Sequence, residues 1–221
     1  MQQTKFFQFI AALFVTCLVV ANIIAVKIGS FWGVFLPVAV VVFPITYIIG
    51  DILTEVYGYA AARRVIWTGF ACNLVAVVAI LIAIRVPSAP FFSNQSGFAS
   101  ILGFTPRLLV ASFLAYLVGQ FMNSLVMAKM KIKTNGKWLW TRTIGSTIVG
   151  EGLDSLIFIT VAFSGVVPTA AIGSLILAQW IFKTLFEVIA TPVTYAAVGF
   201  LKKSEGMDVY DRETNFSPIK L

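Results

Sequence analysis

The chain has 221 residues, of which 59% are hydrophobic and 11% are charged, and its formal net charge at pH 7 is +7. Because a soluble domain carries roughly 25% charged residues, this composition predicts a polytopic membrane protein and excludes a water-soluble one. The chain contains no histidine. Ser-His-Asp and Cys-His catalysis and zinc sites of the HExxH type are therefore excluded.

Six hydrophobic stretches are long enough to cross a bilayer, because about 20 apolar residues in a helix span the hydrocarbon core. Three of them contain no charged residue: Phe6–Val26, Val65–Ile84 and Leu108–Ala128. The other three carry charges inside them: about 34–57, 143–165 and 171–200. The sequence therefore predicts an all-α membrane protein with six transmembrane helices.

The basic residues predict the orientation of these helices, because Lys and Arg concentrate in cytoplasmic loops. With six spans, one side of the membrane receives Lys5, Arg63, Arg64, Lys129, Lys131, Lys133, Lys137, Arg142, Lys202, Lys203, Arg212 and Lys220. The other side receives Lys27, Arg85 and Arg107, and Lys183 lies within a span. We therefore expect both termini in the cytoplasm and interpret the basic residues as topology signals, with no nucleic acid as partner.

This pattern predicts a six-helix transmembrane domain over residues 1–203 and a polar cytoplasmic tail over 204–221. The long loop Val86–Pro106 is rich in Pro, Ser and Phe and is expected to form a short element at the membrane surface. The basic connection after the fourth span is expected to turn at Asn135-Gly136.

A short internal sequence similarity raises the hypothesis of two three-helix inverted repeats. The segments "IIGDILTEV" (48–56) and "IVGEGLDSL" (148–156) align without gaps and pair Asp51 with Glu151. An odd number of helices per half gives the halves opposite orientations, as in many transporters. Nine residues are weak support, and both acids are expected near the cytoplasmic side, which a strict inversion does not predict.

Five acids and one lysine fall within or at the ends of the hydrophobic stretches: Asp51, Glu55, Glu151, Asp154, Glu187 and Lys183. A charge at the centre of a membrane helix costs about 2.5–3.5 kcal/mol on insertion scales, so such residues are functional candidates by default. Gln179, Lys183 and Glu187 repeat every four residues and form one stripe on the last helix. The pattern predicts a polar cavity lined by the second, fifth and sixth spans.

Two interpretations of these charges remain open at this point. In the first, Lys183 pairs with Glu187 or Asp154 to hold the bundle, while Asp51 and Glu55 cap a helix end near the two arginines at 63 and 64. In the second, the acids form a binding or proton site. One lysine cannot neutralise five acids, so structural pairing alone does not account for the set. The excess of acids favours shared protons, a cation or a donor-rich ligand.

Aromatic and amide side chains accompany the acids. The candidate binding residues of this kind are Phe43, Tyr47, Phe158, Trp180, Asn22 and Gln179. Carboxylates accept parallel N–H bonds, and aromatic rings cover a flat face, so the set suits a planar, donor-rich heterocycle. Aromatic residues also face lipid, and amides also join helices, so packing is the alternative.

Four segments of the chain carry a family resemblance: "FPITYIIGDILTEVYGYAAARRVIW", "RTIGSTIVGEGLDSLIFI", "KTLFEVIATPVTY" and "DVYDRETNFSP". Together they resemble the queuosine precursor transporter family, also described as vitamin-uptake transporters. The resemblance covers nearly the whole chain. It implies a six-helix inner-membrane importer of the 7-deazaguanines preQ0 and preQ1, which are precursors of the queuosine of tRNA. The matching functional positions would be Asp51, Thr54, Glu55, Arg63, Arg64, Ser146, Glu151, Asp154, Lys183, Glu187 and Tyr195.

The residues and the resemblance agree on substrate chemistry. A 7-deazaguanine offers N1–H and an exocyclic amino group to a carboxylate, and preQ1 adds an ammonium group. The resulting hypothesis is that Glu151 and Asp154 hold the guanine edge, while Asp51 and Glu55 hold protons or the cationic arm.

Three functional classes remain to be distinguished. The favoured class is a secondary transporter that works alone. The second is the substrate-binding subunit of an energy-coupling-factor importer, for which Ala21 and Ala25 would offer a packing face. The third is a membrane enzyme with paired acids, for which the sequence offers no nucleophile motif, phosphate loop or metal cluster. No cofactor is expected, and a homodimer is a hypothesis that the sequence does not test.

Overall fold

The computed structural model of the protein describes residues 4–31, 34–103, 106–166 and 168–220. In this part of the chain, six helices are long and apolar enough to cross a membrane, so the prediction of six transmembrane helices is confirmed. In chain order the helices are α1 (Phe7–Ile24), α2 (Phe43–Tyr57), α3 (Tyr59–Arg85), α4 (Gln95–Leu102), α5 (Pro106–Lys133), α6 (Leu139–Phe163) and α7 (Thr169–Glu205). The short α4 is the element expected in the long loop.

The second span begins later than the sequence predicted. Strands β1 (Ile28–Phe31) and β2 (Val34–Pro37) form an antiparallel hairpin, and a 3-10 turn, Val38–Val41, leads into α2. The prediction of a helix from residue 34 is therefore wrong at its N-terminal end, because a short apolar run does not distinguish a strand from a helix. Pro44 lies in the first turn of α2, where its missing N–H costs nothing.

Helix α2 continues through Tyr57, and Gly58 then separates it from α3. Gly58 has φ 84° and ψ 166°, a conformation that only glycine adopts easily. The following amide, Tyr59 N–H, donates to Asp211 Oδ2 at 2.9 Å, so a residue of the C-terminal tail caps the N-terminus of α3. Arg63 and Arg64 consequently lie in the first turns of α3 and do not follow α2 directly.

Replacing Gly58 with alanine is expected to loosen the tail. A Cβ there would lie 2.7 Å from Val209 Cγ1 and 3.1 Å from Asp211 Oδ1, at a backbone conformation that costs a non-glycine residue about 1–3 kcal/mol. Limited proteolysis of the purified protein should therefore cleave the Gly58→Ala tail faster than the wild-type tail. The matched control is Gly173→Ala, since no atom would lie within 4 Å of its Cβ. Equal cleavage of both variants would contradict this role.

Helix α2 lies at the centre of the bundle and contacts α1, α3, α5, α6 and α7. All of its residues from Ile49 to Tyr57 are buried, including Asp51 and Glu55. Its polar side chains therefore meet other helices and not lipid. The neighbouring helices α5 and α6 approach closely at Gly119 and Gly150, where a Cβ on either residue would lie within 3.1 Å of the other's carbonyl oxygen.

The first described residues and the C-terminal tail lie at one end of the bundle, called here the terminal end. Near the C-terminus of α7, the Glu205 carboxylate accepts from the amides of Lys5 and Phe6 at 2.9 and 2.7 Å and from the Tyr57 hydroxyl at 2.9 Å. The polar tail after α7 packs against the same end: Val209 N–H donates to Val56 O at 3.4 Å. The turn predicted at residues 135–136 also lies there, with Gly136 at φ 75°.

Candidate functional site

The acids of the spanning segments occupy two separate clusters. The central cluster comprises Asp51, Glu151, Asp154, Lys183 and Glu187. The terminal network comprises Glu55, Lys131, Arg142, Lys202 and Asp208. Asp51 and Glu55 lie one turn apart on α2, and each belongs to a different cluster.

Lys183 joins two carboxylates of the central cluster. Its Nζ lies 2.7 Å from Glu151 Oε2 and 2.5 Å from Asp154 Oδ2, and all three side chains are buried. The same Nζ lies 4.6 Å from the centre of the Phe43 ring, a cation–π distance. The sequence left open a pairing of Lys183 with Glu187 or Asp154. The observed partners on α6 are Asp154 and Glu151.

Asp51 is held by neutral donors. Asn123 Nδ2 donates to its Oδ1 at 2.7 Å, and Ser146 Oγ lies 3.4 and 3.5 Å from its two carboxylate oxygens. Among the residues that the structure describes, no basic side chain forms an ion pair with Asp51 or with Glu187. These two carboxylates therefore lack the cations that stabilise the others.

The terminal network surrounds Glu55 with positive charge. Arg142 forms a bidentate pair with it, from Nε and Nη2 to the two carboxylate oxygens at 2.8 Å each. Lys202 Nζ donates to Glu55 Oε1 at 2.5 Å, and Lys131 Nζ lies 3.6 Å from the same oxygen. Asp208 bridges the two lysines at 2.5 and 2.8 Å. Glu55 on α2 is therefore fully paired by cations from three other helices, α5, α6 and α7.

The tail acid of this network, Asp208, lies outside the spanning segments. Partial burial raises the pKa of Asp208, but hydrogen bonds from Lys131 and Lys202 outweigh burial and hold this pKa below its usual range. The carboxylate therefore stays ionised at neutral pH. Because the pKa is lowered by folding, the stability from this contact is present at neutral pH and is lost as the pH falls through the folded pKa.

The suggested capping of α2 near the two arginines is wrong in the described structure. Arg63 Nη1 donates to the carbonyls of Asn215 and Ser217 at 2.9 and 2.7 Å, so it binds the tail. Arg64 Nε donates to the Ala60 carbonyl on its own helix at 3.3 Å. Neither arginine reaches Asp51 or Glu55, because both lie beyond the break at Gly58.

A cavity of about 350 Å³ lies in the half of the bundle away from the terminal end. This volume falls in the range of small-molecule sites. The lining is mostly apolar, with a few polar side chains. It is formed by Ala21, Asn22, Ala25, Val26, Pro37, Ala39, Val40, Phe43, Gly103, Leu108, Ser112, Ala115, Asp154, Phe158, Phe163, Gln179 and Lys183. Among the lining residues of α6 and α7, Asp154 and Lys183 lie nearest the middle of their helices. The ion triad, which consists of Lys183, Glu151 and Asp154, therefore forms the inner end of the cavity.

Six of the predicted binding residues line this cavity: Asn22, Phe43, Asp154, Phe158, Gln179 and Lys183. Glu151 reaches it through the bond to Lys183. Tyr47, Asp51 and Glu187 are buried and lie outside the lining, as does Glu55 in the terminal network. Trp180 is turned towards α6, where its Nε1 donates to the Ile148 carbonyl at 3.0 Å.

Sequence reasoning did not find Ser112 or the basic members of the terminal network. Ser112 Oγ donates to Asn22 Oδ1 at 3.0 Å and places a polar pair in the cavity wall. Lys131, Arg142 and Lys202 were interpreted only as topology signals. Nothing in their spacing distinguishes them from the neighbouring surface lysines, because the partner, Glu55, is distant in sequence.

Several buried polar atoms near the central cluster lack a hydrogen-bond partner in the described part of the chain. They include Tyr47 Oη, Gln120 Oε1, Asn123 Oδ1, Glu151 Oε1, Ser155 Oγ and Glu187 Oε1. Most buried polar groups in proteins are hydrogen-bonded. This concentration of unpaired groups indicates a site that binds a polar ligand, protons or water.

Residues 37–197, well over half of the chain, match the family model described as "Putative vitamin uptake transporter". The chain belongs to this family. The six apolar helices and the family both identify the transporter as a multi-pass membrane protein.

Three curated relatives are similar to this transporter. A "Probable queuosine precursor transporter" of Bacillus subtilis is 29% identical over 188 residues, which are 85% of this chain and 82% of that protein. The "Queuosine precursor transporter" of Escherichia coli is 28% identical over 60% of this chain and 54% of its own length. A "Probable queuosine precursor transporter" of Haemophilus influenzae is 28% identical over 61% and 52%. The matches thus span about half of the latter two proteins. No solved structure matches the transporter.

Proposed function

We propose that this protein imports a queuosine precursor, a 7-deazaguanine such as preQ0 or preQ1, across the inner membrane as a secondary transporter. The names of the three relatives support the substrate class. The observation that carries the proposal is the ion triad of Lys183, Glu151 and Asp154 at the inner end of an apolar cavity of about 350 Å³.

The side chains of this cavity suit a guanine-like ring. A carboxylate accepts two parallel N–H bonds from N1–H and the exocyclic amino group, and Asp154 is the carboxylate that lines the cavity. Lys183 supplies N–H donors for a ring carbonyl. Phe43 and Phe158 offer aromatic faces, and the amide of Gln179 adds a donor and an acceptor.

The proposed orientation places the terminal end, with both termini, in the cytoplasm, as the distribution of basic residues predicts. The cavity then lies in the outer half of the membrane domain. In this orientation, the terminal network and the tail join the helices at the cytoplasmic end, and substrate would reach the cavity from outside. For the substrate to be released into the cytoplasm, the helices that are joined through Glu55 have to separate.

The proposal contains no catalytic step and no cofactor. The alternative of an energy-coupling-factor subunit fails if uptake persists in a host in which this gene is the only transporter component supplied. The homodimer and the inverted repeat stay predictions.

Loss of the acids of the triad is expected to weaken substrate binding. Asp154→Asn and Glu151→Gln should each lower the affinity for preQ0 about tenfold to a hundredfold, because a hydrogen bond to a charged group is worth about 1.5–3 kcal/mol. The measurement is binding of preQ0, preQ1, queuine and guanine to the purified protein across pH.

The matched control for both variants is Glu213→Gln, which makes the same change on an exposed acid of the tail. Unchanged affinity of both triad variants for preQ0 would show that the triad does not bind the substrate. Absence of binding by the wild-type protein to all four compounds would refute the substrate class itself.

A further inference from the structure

We propose that Asp51 and Glu187 form a proton-binding site that couples transport to the proton gradient, separate from the substrate site at Asp154. This inference rests on the proposed function as a secondary transporter. It also replaces the earlier pairing of Asp51 with Glu55, because Glu55 is already satisfied by the cations of the terminal network.

The first support is the burial of two acids without cations. Asp51 is 0% exposed and Glu187 is 1% exposed. They lie on α2 and α7, which pack against each other. An ionised carboxylate buried this deeply without a cation is costly, whereas a protonated one is not.

The second support is that every nearby cation is committed elsewhere. On α2, the charge of Glu55 is bound by Arg142 and Lys202. On α6 and α7, Glu151 and Asp154 are bound by Lys183. These groups leave no cation for Asp51 or Glu187 in the described part of the chain.

Helix α5 completes the surroundings with the amides of Gln120 and Asn123, which carry no charge. Asn123 donates from Nδ2 to Asp51, and its Oδ1, fully buried, has no partner. An unpaired buried acceptor beside a carboxylate is the arrangement that a protonated carboxyl group would satisfy.

The surroundings of Asp51 favour a proton over a metal cation. Asn123 directs an amide N–H at Asp51, and among the described residues no group of three or more Asp, Glu, Cys or His side chains is placed to hold a metal ion. Glu187 Oε1 is buried without a partner among the described residues, as expected for a carboxyl group that carries a proton and has no cation beside it.

The position of the pair explains how a proton would influence transport. Asp51 lies on α2 between the substrate triad, which contacts the cavity, and Glu55 in the terminal network. On α7, Pro192 lacks the N–H that would bond the carbonyl of Val188, the residue after Glu187, so the helix can bend there. Adding or removing a proton at these acids changes the charge on α2 and α7, which pack against each other.

The test uses purified protein in liposomes with preQ0, measuring both exchange of labelled preQ0 and its accumulation under a pH gradient. With one coupled proton, a difference of one pH unit should support about tenfold accumulation, because one unit corresponds to 1.36 kcal/mol. Asp51→Asn and Glu187→Gln should lose this accumulation and retain a much larger part of exchange. Glu213→Gln is the matched control and should accumulate like the wild type.

Two results would overturn the inference: full pH-driven accumulation by both variants, or accumulation by the wild type that follows a sodium gradient at equal pH on both sides. Absence of preQ0 exchange by the wild type would instead refute the proposed function.

The proton site is then tested without substrate by infrared titration. The wild type should show the carbonyl band of a buried carboxylic acid, and Asp51→Asn should lose it. A band unchanged in Asp51→Asn and in Glu187→Gln would overturn the site.

Discussion

Replacing Glu55 with leucine is expected to destabilise the protein by about 3–5 kcal/mol, the usual cost of removing one partner from a buried ion pair. The substitution leaves Arg142 and Lys131 buried without their shared anion, and Asp208 then neutralises only the two lysines that it contacts. The measurement is the free energy of unfolding in mixed detergent micelles, followed by tryptophan fluorescence.

A double variant separates charge from packing. Removing Arg142 together with Glu55, as Glu55→Leu with Arg142→Leu, leaves two lysines and Asp208, which still pair with one another. We therefore expect the double variant to be more stable than the single Glu55→Leu variant, although both lose the same bidentate contact. A double variant that is less stable than the single one would show that the network contributes through shape and not through charge balance.

Replacing Lys183 with glutamine is expected to change the substrate preference. Without its ammonium group, the carboxylates of Glu151 and Asp154 are left buried and unpaired next to the cavity. A cationic ligand such as preQ1 would then replace the lost charge, and neutral preQ0 would not. The ratio of affinities for preQ1 over preQ0 should rise about tenfold or more, since a charge-assisted hydrogen bond contributes about 1.5–3 kcal/mol.

The affinities are measured on the purified variant at a single neutral pH, with Lys203→Gln as the matched control on the same helix. Lys203 is exposed and belongs to neither cluster. An unchanged ratio in Lys183→Gln, in a protein that still binds preQ0, would mean that Lys183 holds α6 and α7 together without contacting the substrate.

The sequence predicted the spans well where a span is a property of one helix. The stretches Phe6–Val26 and Leu108–Ala128 became α1 and part of α5, because the thickness of the hydrocarbon core sets a length that apolar residues reveal locally. The same reasoning failed at residues 34–42, where a strand and a 3-10 turn replace helix. A few apolar residues beside glycine and proline satisfy either structure, and the choice depends on pairing with β1.

The candidate site was predicted in composition and only partly in arrangement. The sequence identified every acid of the central cluster, because a charge inside an apolar stretch is conspicuous without any alignment. It grouped Asp51 with Glu55, since helical spacing brings residues four apart to one face. That rule describes the face of one helix and does not specify the partner. The partners of Glu55 come from α5, α6 and α7.

By itself, the sequence determined that this protein crosses the membrane six times and that acids and aromatic residues lie inside the spans. Only the tertiary structure decided which acids have cations. Glu55 and Arg142 are 87 positions apart, and Glu55 and Lys202 are 147 apart. Such pairs form only once the rotation and depth of each helix are fixed by packing around α2. Those two quantities come from contacts between helices, so no single segment contains them.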